Sequence, residues 1–187
     1  MNVEKQKRIT DFVLGRIYPI SQSAIVAGGA PRDWYFGRSA NDIDIYFYRP
    51  DLETSLAVCS TFYRVGFTIR QIGAEFTNHP LYEKNAMIER VFDCEFSGLK
   101  FQFIQMNQKT FTSVVKNFPL NICMIWYKNG KINGTPDFFR AVRHNAIVKV
   151  NPLYANSDAY IKKICNRFPD YKYYENYEEL AKSLLDG

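Results

Sequence analysis

Residues 28–47 read GGAPRDWYFGRSANDIDIYF, and the fold turns on how this stretch is understood. Its last part, DIDIYFY (42–48), alternates as a β-strand does, so Asp42 and Asp44 share one face while Ile43 and Ile45 share the other. The apolar AIVA at 24–27 reads as a second buried strand running into Gly28-Gly29. Pro31 fits the first turn of a helix over PRDWYF, which Gly37 stops. The stretch is therefore strand, glycine turn, short helix, strand, with two acids on an otherwise apolar element.

Outward from it, Ile9, Phe12, Val13 and Ile17 recur at helical spacing, predicting a helix over 2–17 that Pro19 ends. Leu52, Leu56, Cys59 and Phe62 predict a second helix with these residues on its inner face, and GFTIRQI (66–72) alternates like a strand. MIERVFDCEF and KFQFIQM flank Ser97-Gly98, a hairpin signal, and NICMIWY (121–127) reads as a strand before an Asn129-Gly130 turn. Tyr160, Ile161, Ile164, Cys165 and Phe168 predict the inner face of a later helix, with Lys162, Lys163, Asn166 and Arg167 outside. A last helix carries Tyr177, Leu180, Ala181 and Leu184. The pattern is α/β (α+β): a mixed central sheet with flanking helices and a short C-terminal helical tail. The expected division is a head-like unit at 1–139 and a small, basic, mostly helical extension at 140–187 packed on it.

The 187 residues are 47% apolar, enough for one folded core. No run approaches a membrane span, and MNVEKQKRIT lacks the apolar stretch of a secretory signal. Cys59, Cys94, Cys123 and Cys165 are widely spaced and read as buried thiols of a cytoplasmic chain. With only His79 and His144 beside them, a Cys/His zinc site is not expected. The net charge is +5. It concentrates in residues 140–167, where Arg140, Arg143, Lys149, Lys162, Lys163 and Arg167 face one acid, Asp158. Such a segment suits a polyanion, RNA or a nucleoside triphosphate, or else a solvated surface.

Two carboxylates on one strand face repel each other when partly buried, which raises a carboxyl pKa unless a cation intervenes. Mg²⁺ is the matching ion, since it takes oxygen ligands and keeps positions for substrate phosphates. Gly28-Gly29 bring backbone N–H groups toward the same place, where they cradle phosphate oxygens. Metal ligands and phosphate cradle together point to metal-assisted nucleotidyl or phosphoryl transfer.

The ordered set Gly28, Gly29, Arg32, Asp33, Gly37, Arg38, Asp42, Asp44 resembles the head-domain signature of class II CCA-adding tRNA nucleotidyltransferases and bacterial poly(A) polymerases, in the DNA polymerase β-like nucleotidyltransferase superfamily. GLKFQFIQ, KNFPLN and SDAYIKKICNRF resemble later segments of the same family. The resemblance implies a polymerase β-like nucleotidyltransferase fold. It implies that Asp42 and Asp44 are catalytic and hold Mg²⁺, and that Gly28 and Gly29 contact the triphosphate. Arg32, Asp33, Arg38, Asn121 and Asp158 are implied in nucleotide or phosphate binding. The family's third carboxylate falls at Gln102, so Asp93 or Glu95 is the candidate replacement. Asn117 stands in place of an acid, and Ile161 in place of the arginine that pairs with the residue matched by Asp158.

The expected activity is transfer of a nucleoside monophosphate from an NTP such as ATP to an acceptor hydroxyl, with release of pyrophosphate. An RNA or tRNA 3′ end is the leading acceptor; a protein or small molecule is the alternative. The rival reading is a catalytically degenerate domain that binds nucleotide, RNA or a protein partner, motivated by Gln102, Asn117 and Ile161. Trp34, Tyr35 and Phe36 read as core rather than as a base-stacking platform, YKYYENYEEL as a half-buried helix, and His144 as a surface residue. So compact a version of the signature suits a phage or mobile-element gene.

Overall fold

A computed structural model describes residues 1–72, 87–107, 111–151 and 158–186; His79 lies outside them. The chain forms α1 (Val3–Ile17), β1 (Ile25–Ala27), α2 (Gly29–Tyr35), β2 (Asp42–Tyr48), α3 (Ser55–Arg64), β3 (Arg70–Ile72), β4 (Ile88–Phe96) and β5 (Leu99–Met106). It continues through α4 (Phe111–Lys116), a 3₁₀ turn (Asn121–Cys123), β6 (Ile125–Lys128), β7 (Lys131–Gly134), α5 (Pro136–His144), β8 (Ala146–Val148), α6 (Asp158–Arg167), β9 (Lys172–Tyr174) and α7 (Tyr177–Leu185). Seven strands form one mixed sheet in the order β3-β4-β5-β2-β1-β6-β7; β8 and β9 form a separate parallel pair.

β2 sits at the centre of this arrangement. It runs antiparallel to β1 and parallel to β5, in the register Asp42↔Lys100, Asp44↔Gln102, Tyr46↔Ile104. β5 in turn pairs antiparallel with β4, setting Glu95 beside Lys100 and Asp93 beside Gln102. One sheet face carries Ile43, Ile45, Phe47, Phe92, Phe101 and Phe103, which pack with Leu14 and Ile17 of α1 and with Val58 and Phe62 of α3. The other face is graded along β2. Asp42 and Asp44 come first, then Tyr46, which joins an apolar cluster with Val114, Phe138, Ile164 and Phe168 from α4, α5, α6 and the residue after α6.

The hairpin and turn expectations match. Ser97-Gly98 and Asn129-Gly130 each hold two consecutive positive-φ residues, the geometry that a two-residue hairpin loop needs. Other expectations are corrected. On α1 the buried stripe is Gln6, Thr10, Val13, Leu14 and Ile17, while Phe12 is exposed. Gln6 tolerates burial because its amide is fully used: Nε2 donates to Ala40 O, and Oε1 accepts from Trp34 Nε1 and Ala40 N. On α3 the inner residues are Val58 and Phe62; Leu56 is 80% exposed and Leu52 is buried ahead of the helix. NICMIWY is not one strand: Asn121–Cys123 coil into a 3₁₀ turn before β6. β7, β8 and β9 were not expected; each is three or four residues long, too short for a periodic signal. The expected boundary at 139/140 falls inside α5, whose Phe138 and Ala141 enter the same cluster.

Asn121 shows why the turn forms. It is fully buried; its Oδ1 accepts from Ile122 N and Val148 N, and its Nδ2 donates to Ala146 O. Asn121→Ala strands these backbone groups and should lower the unfolding free energy in urea by about 2–4 kcal/mol. Leu56→Ser, on the outer side of α3, should change it by less than about 0.5 kcal/mol.

Candidate active site

A cavity of about 220 Å³ lies between the acid-bearing face of the sheet and α6. Its wall combines Gly28, Gly29, Asn41, Asp42, Asp44 and Gln102 with the charged Arg32, Asp33, Lys163 and Arg167 and with Tyr46, Ile88, Phe118, Pro119 and Tyr160. Charged and aromatic groups thus line the same space.

Gly28 makes the turn above the acids. Its φ of 83° belongs to glycine, and an added Cβ would stand 3.3 Å from the Phe118 ring. Its N–H donates to Ile125 O of β6, so Gly28 supplies conformation rather than an amide for a phosphate. Gly29 differs: a Cβ there meets nothing nearer than Arg32 Nη2 at 3.9 Å.

Arg32 and Asp33 are both buried. Arg32 donates to Asp33 Oδ1 through Nε (3.2 Å) and Nη2 (3.1 Å), and to Cys123 Sγ through Nη1. Arg167, at the end of α6, donates to Asp33 Oδ1 through Nε (2.9 Å) and to Oδ2 through Nη2 (2.6 Å). Two guanidiniums therefore share one carboxylate, leaving a net positive charge at the cavity edge. Arg38 donates to Arg167 O and lies over the Phe168 ring, so it anchors the end of α6 and does not line the cavity.

Of the residues expected in the site, the structure brings Gly28, Gly29, Arg32, Asp33, Asp42 and Asp44 to one cavity. Asn121 is committed to β8 and the 3₁₀ turn, and Asp158, exposed in the first turn of α6, is not on the cavity wall. Trp34 is core, as expected. Phe36 packs on Phe138, Phe168 and Tyr171, whereas Tyr35 is 42% exposed. Lys163, expected on the solvent side of α6, is exposed and also lines the cavity, whereas Arg167, expected on the same side, turns in to Asp33. Tyr160, Lys163, Ile164 and Arg167 form one i, i+3, i+4, i+7 stripe, and that spacing was the available signal. The basic segment is also partly neutralised within the chain: Arg140 pairs with Asp137, Lys149 with Glu175 and Arg167 with Asp33.

Asp93 and Glu95 share the sheet face with the acid pair but are separated from it by β5. Gln102 stands between Asp44 and Asp93 and donates its amide to Asp93 Oδ1 at 3.1 Å; Lys100 stands between Asp42 and Glu95. Two strand spacings put Asp93 about 10 Å from Asp44. Among the described residues no group of three His, Cys, Asp or Glu side chains gathers to hold a metal. The donor set present fits a different demand. Burial, and then Asp42, push the Asp44 carboxyl up to about 7, against the pull of Lys163. Two oxygen donors that conflict in this way suit an Mg²⁺ that arrives with phosphates completing its shell.

A family model described as "Gad2: Gabija anti-defense 2 family protein" matches residues 4–145. The chain belongs to the Gabija anti-defense 2 family. No curated protein matches it. Among solved structures, this Gad2-family chain is similar to a CCA-adding enzyme in complex with CTP, with a TM-score of 0.61 at 16% identity over 100% of this chain and 46% of that one. It is similar to the Thermotoga maritima CCA-adding enzyme complexed with tRNA-CCA, with a TM-score of 0.59 at 16% identity over 98% and 45% of the two chains. It also resembles a tRNA nucleotidyltransferase complexed with a primer tRNA and an incoming ATP analog, with a TM-score of 0.56 at 15% identity over 87% and 46%. The likeness establishes a nucleotidyltransferase-like α+β fold. The chain spans less than half the length of these structures.

The two glycines should separate in experiment. Gly28→Ala should destabilise the protein by about 1–3 kcal/mol in urea unfolding, through its positive φ and the Phe118 contact. Gly29→Ala should fold normally, so any loss of nucleotide binding by it reports on the site.

Asp44 should leave a pH signature. The folded state keeps its proton up to about pH 7, whereas the ordinary carboxyl value is 3.8. The folded state therefore binds more protons than the unfolded chain between those values, and stability falls as pH rises through that window. Asp44→Asn should flatten the fall and leave the variant more stable than the parent at pH 8, by roughly 2–4 kcal/mol in urea titrations.

Proposed function

We propose that this Gad2-family chain is a metal-dependent nucleotidyltransferase that moves a nucleoside monophosphate from an NTP to an acceptor hydroxyl. The supporting observation is that Asp42, Asp44, Gly28, Gly29 and three cationic side chains face one cavity. The acceptor hydroxyl gives its proton to water as its oxygen attacks the α-phosphorus, the bond from that phosphorus to the bridging oxygen breaks, and pyrophosphate leaves with the electron pair. A bound Mg²⁺ would supply Lewis-acid polarisation and neutralise developing charge on the phosphates. Asp42 and Asp44 would hold that ion. The Arg32–Asp33–Arg167 cluster keeps α6 over the sheet and leaves positive charge toward the triphosphate. The aromatic side chains on the cavity wall, Tyr46, Phe118 and Tyr160, receive the uncharged part of the nucleotide and keep water from it.

For the acceptor we propose a 3′-terminal RNA hydroxyl. Arg143, Lys162 and Lys163 make no ion pair within 4.0 Å among the described residues, which suits a short single-stranded end better than a long duplex. In this reading, nucleotidyl transfer is the means of the anti-defense action that the family description names. The neutral Gln102, where a third carboxylate is expected, favours a second reading, a domain that binds metal–nucleotide without turning it over.

Incubation with Mg²⁺, α-labelled NTPs and total RNA tests both. The parent protein should label RNA, and the Asp42→Ala/Asp44→Ala variant should lose at least about a hundredfold in rate. Equal labelling by the two proteins would falsify the metal role. Label on polypeptide instead of RNA moves the acceptor to protein, and metal-dependent NTP binding with no label supports the second reading.

A further inference from the structure

Gln102 and Lys163 together bear on how many cations the cavity takes. The position beside Asp44 on β5 belongs to Gln102, whose side-chain amide donates to Asp93. An amide there brings no negative charge to bind a second dication, and it holds Asp93 on the far side of β5. The two carboxylates left on the wall, Asp42 and Asp44, satisfy one ion that shares the phosphate oxygens.

The positive charge missing from such a site has a source in α6. Arg32 and Arg167 both donate to Asp33, so each guanidinium is already turned to a carboxylate. Lys163 lines the same cavity, and among the described residues it makes no ion pair within 4.0 Å. It lies one helical turn before Arg167, whose bonds to Asp33 fix that end of the helix, so its ammonium is carried on a held element. An ammonium is a compact charge on a flexible stem, suited to following phosphate oxygens as they move. A second dication beside it would be repelled.

We infer that the cavity takes one divalent cation, held by Asp42 and Asp44, and that Lys163 supplies the second positive charge against the triphosphate. This rests on the metal–nucleotide reading above, and it deepens that reading by giving the site a metal count and a phosphate-binding residue. It holds whether or not turnover follows, because it concerns the bound state.

The test is Mn²⁺ stoichiometry, read by electron paramagnetic resonance and calorimetry with a non-hydrolysable α,β-methylene NTP analogue. The parent protein should bind one Mn²⁺ per chain with the analogue. Lys163→Ala should weaken analogue binding at least tenfold with the Mn²⁺ count unchanged, and Lys163→Arg should restore most of the loss. Gln102→Glu should raise the count to two. Two Mn²⁺ per parent chain would overturn the inference while leaving the nucleotidyltransferase proposal standing. Unchanged analogue affinity in Lys163→Ala would overturn the role of the lysine. Absence of both Mn²⁺ and analogue binding by the parent would overturn the inference together with the reading beneath it. Lys163 is exposed on α6, and matching thermal melts of its variants separate binding effects from folding.

Discussion

Asp33 accepts from two arginines that come from different parts of the chain, and the placement of α6 over the sheet depends on that contact. Arg32 reaches it from the same short helix; Arg167 reaches it from the end of α6. The carboxylate is buried, so its charge is tolerated only because both guanidiniums attend to it. Phe168 extends the contact, lying under Arg32 and Arg38 while packing on Phe36. Through these bonds α6 is held across a sheet face that would otherwise open to water. Removing Asp33 leaves the buried Arg32 without its carboxylate, which costs several kcal/mol where such pairs have been broken.

The second organising constraint is electrostatic conflict within β2. A strand in the middle of a sheet favours apolar residues on both faces, and Ile43, Ile45 and Phe47 satisfy that on one. On the other face Asp42 and Asp44 oppose each other. Cations from two helices answer them: Lys163 on α6 and Arg32 on α2. A fold under selection for stability alone would replace the acids. Their retention in a central strand, with conformation-restricted Gly28 above them, is the pattern of a site whose strain is kept for a ligand.

Much of this was legible in the sequence. β2 was read to the residue, because strict alternation over seven positions leaves one solution. The two hairpin turns were legible because Ser97-Gly98 and Asn129-Gly130 are chemically suited to positive φ. The nucleotidyltransferase-like fold followed from eight ordered positions in the opening stretch. What was not legible has common causes. Gln6 and Thr10 were passed over as core because a polar side chain is read as exposed until its partner is known, and Trp34 and Ala40 supply the partners of Gln6 from more than twenty residues away. Arg167 was sent to solvent for the same reason, its partner Asp33 lying far away in sequence. Asn121 was read as a nucleotide contact, whereas its amide closes a junction with a strand too short to predict.

The central place of β2 also governs when the cavity can come into being. Its neighbour β1 is close in sequence, but β5, which aligns Asp44 with Gln102, lies more than fifty residues further along the chain. β1 waits still longer for its other partner, since Val26 is matched with Tyr127. Pairings between such distant segments carry a large loop-closure entropy and make folding slow. On a ribosome the acid-bearing strand would emerge long before its cover, α6. A chain cut short before Asp158 would present the unshielded aspartates on an open sheet face, so the cavity exists only once α6 has been made.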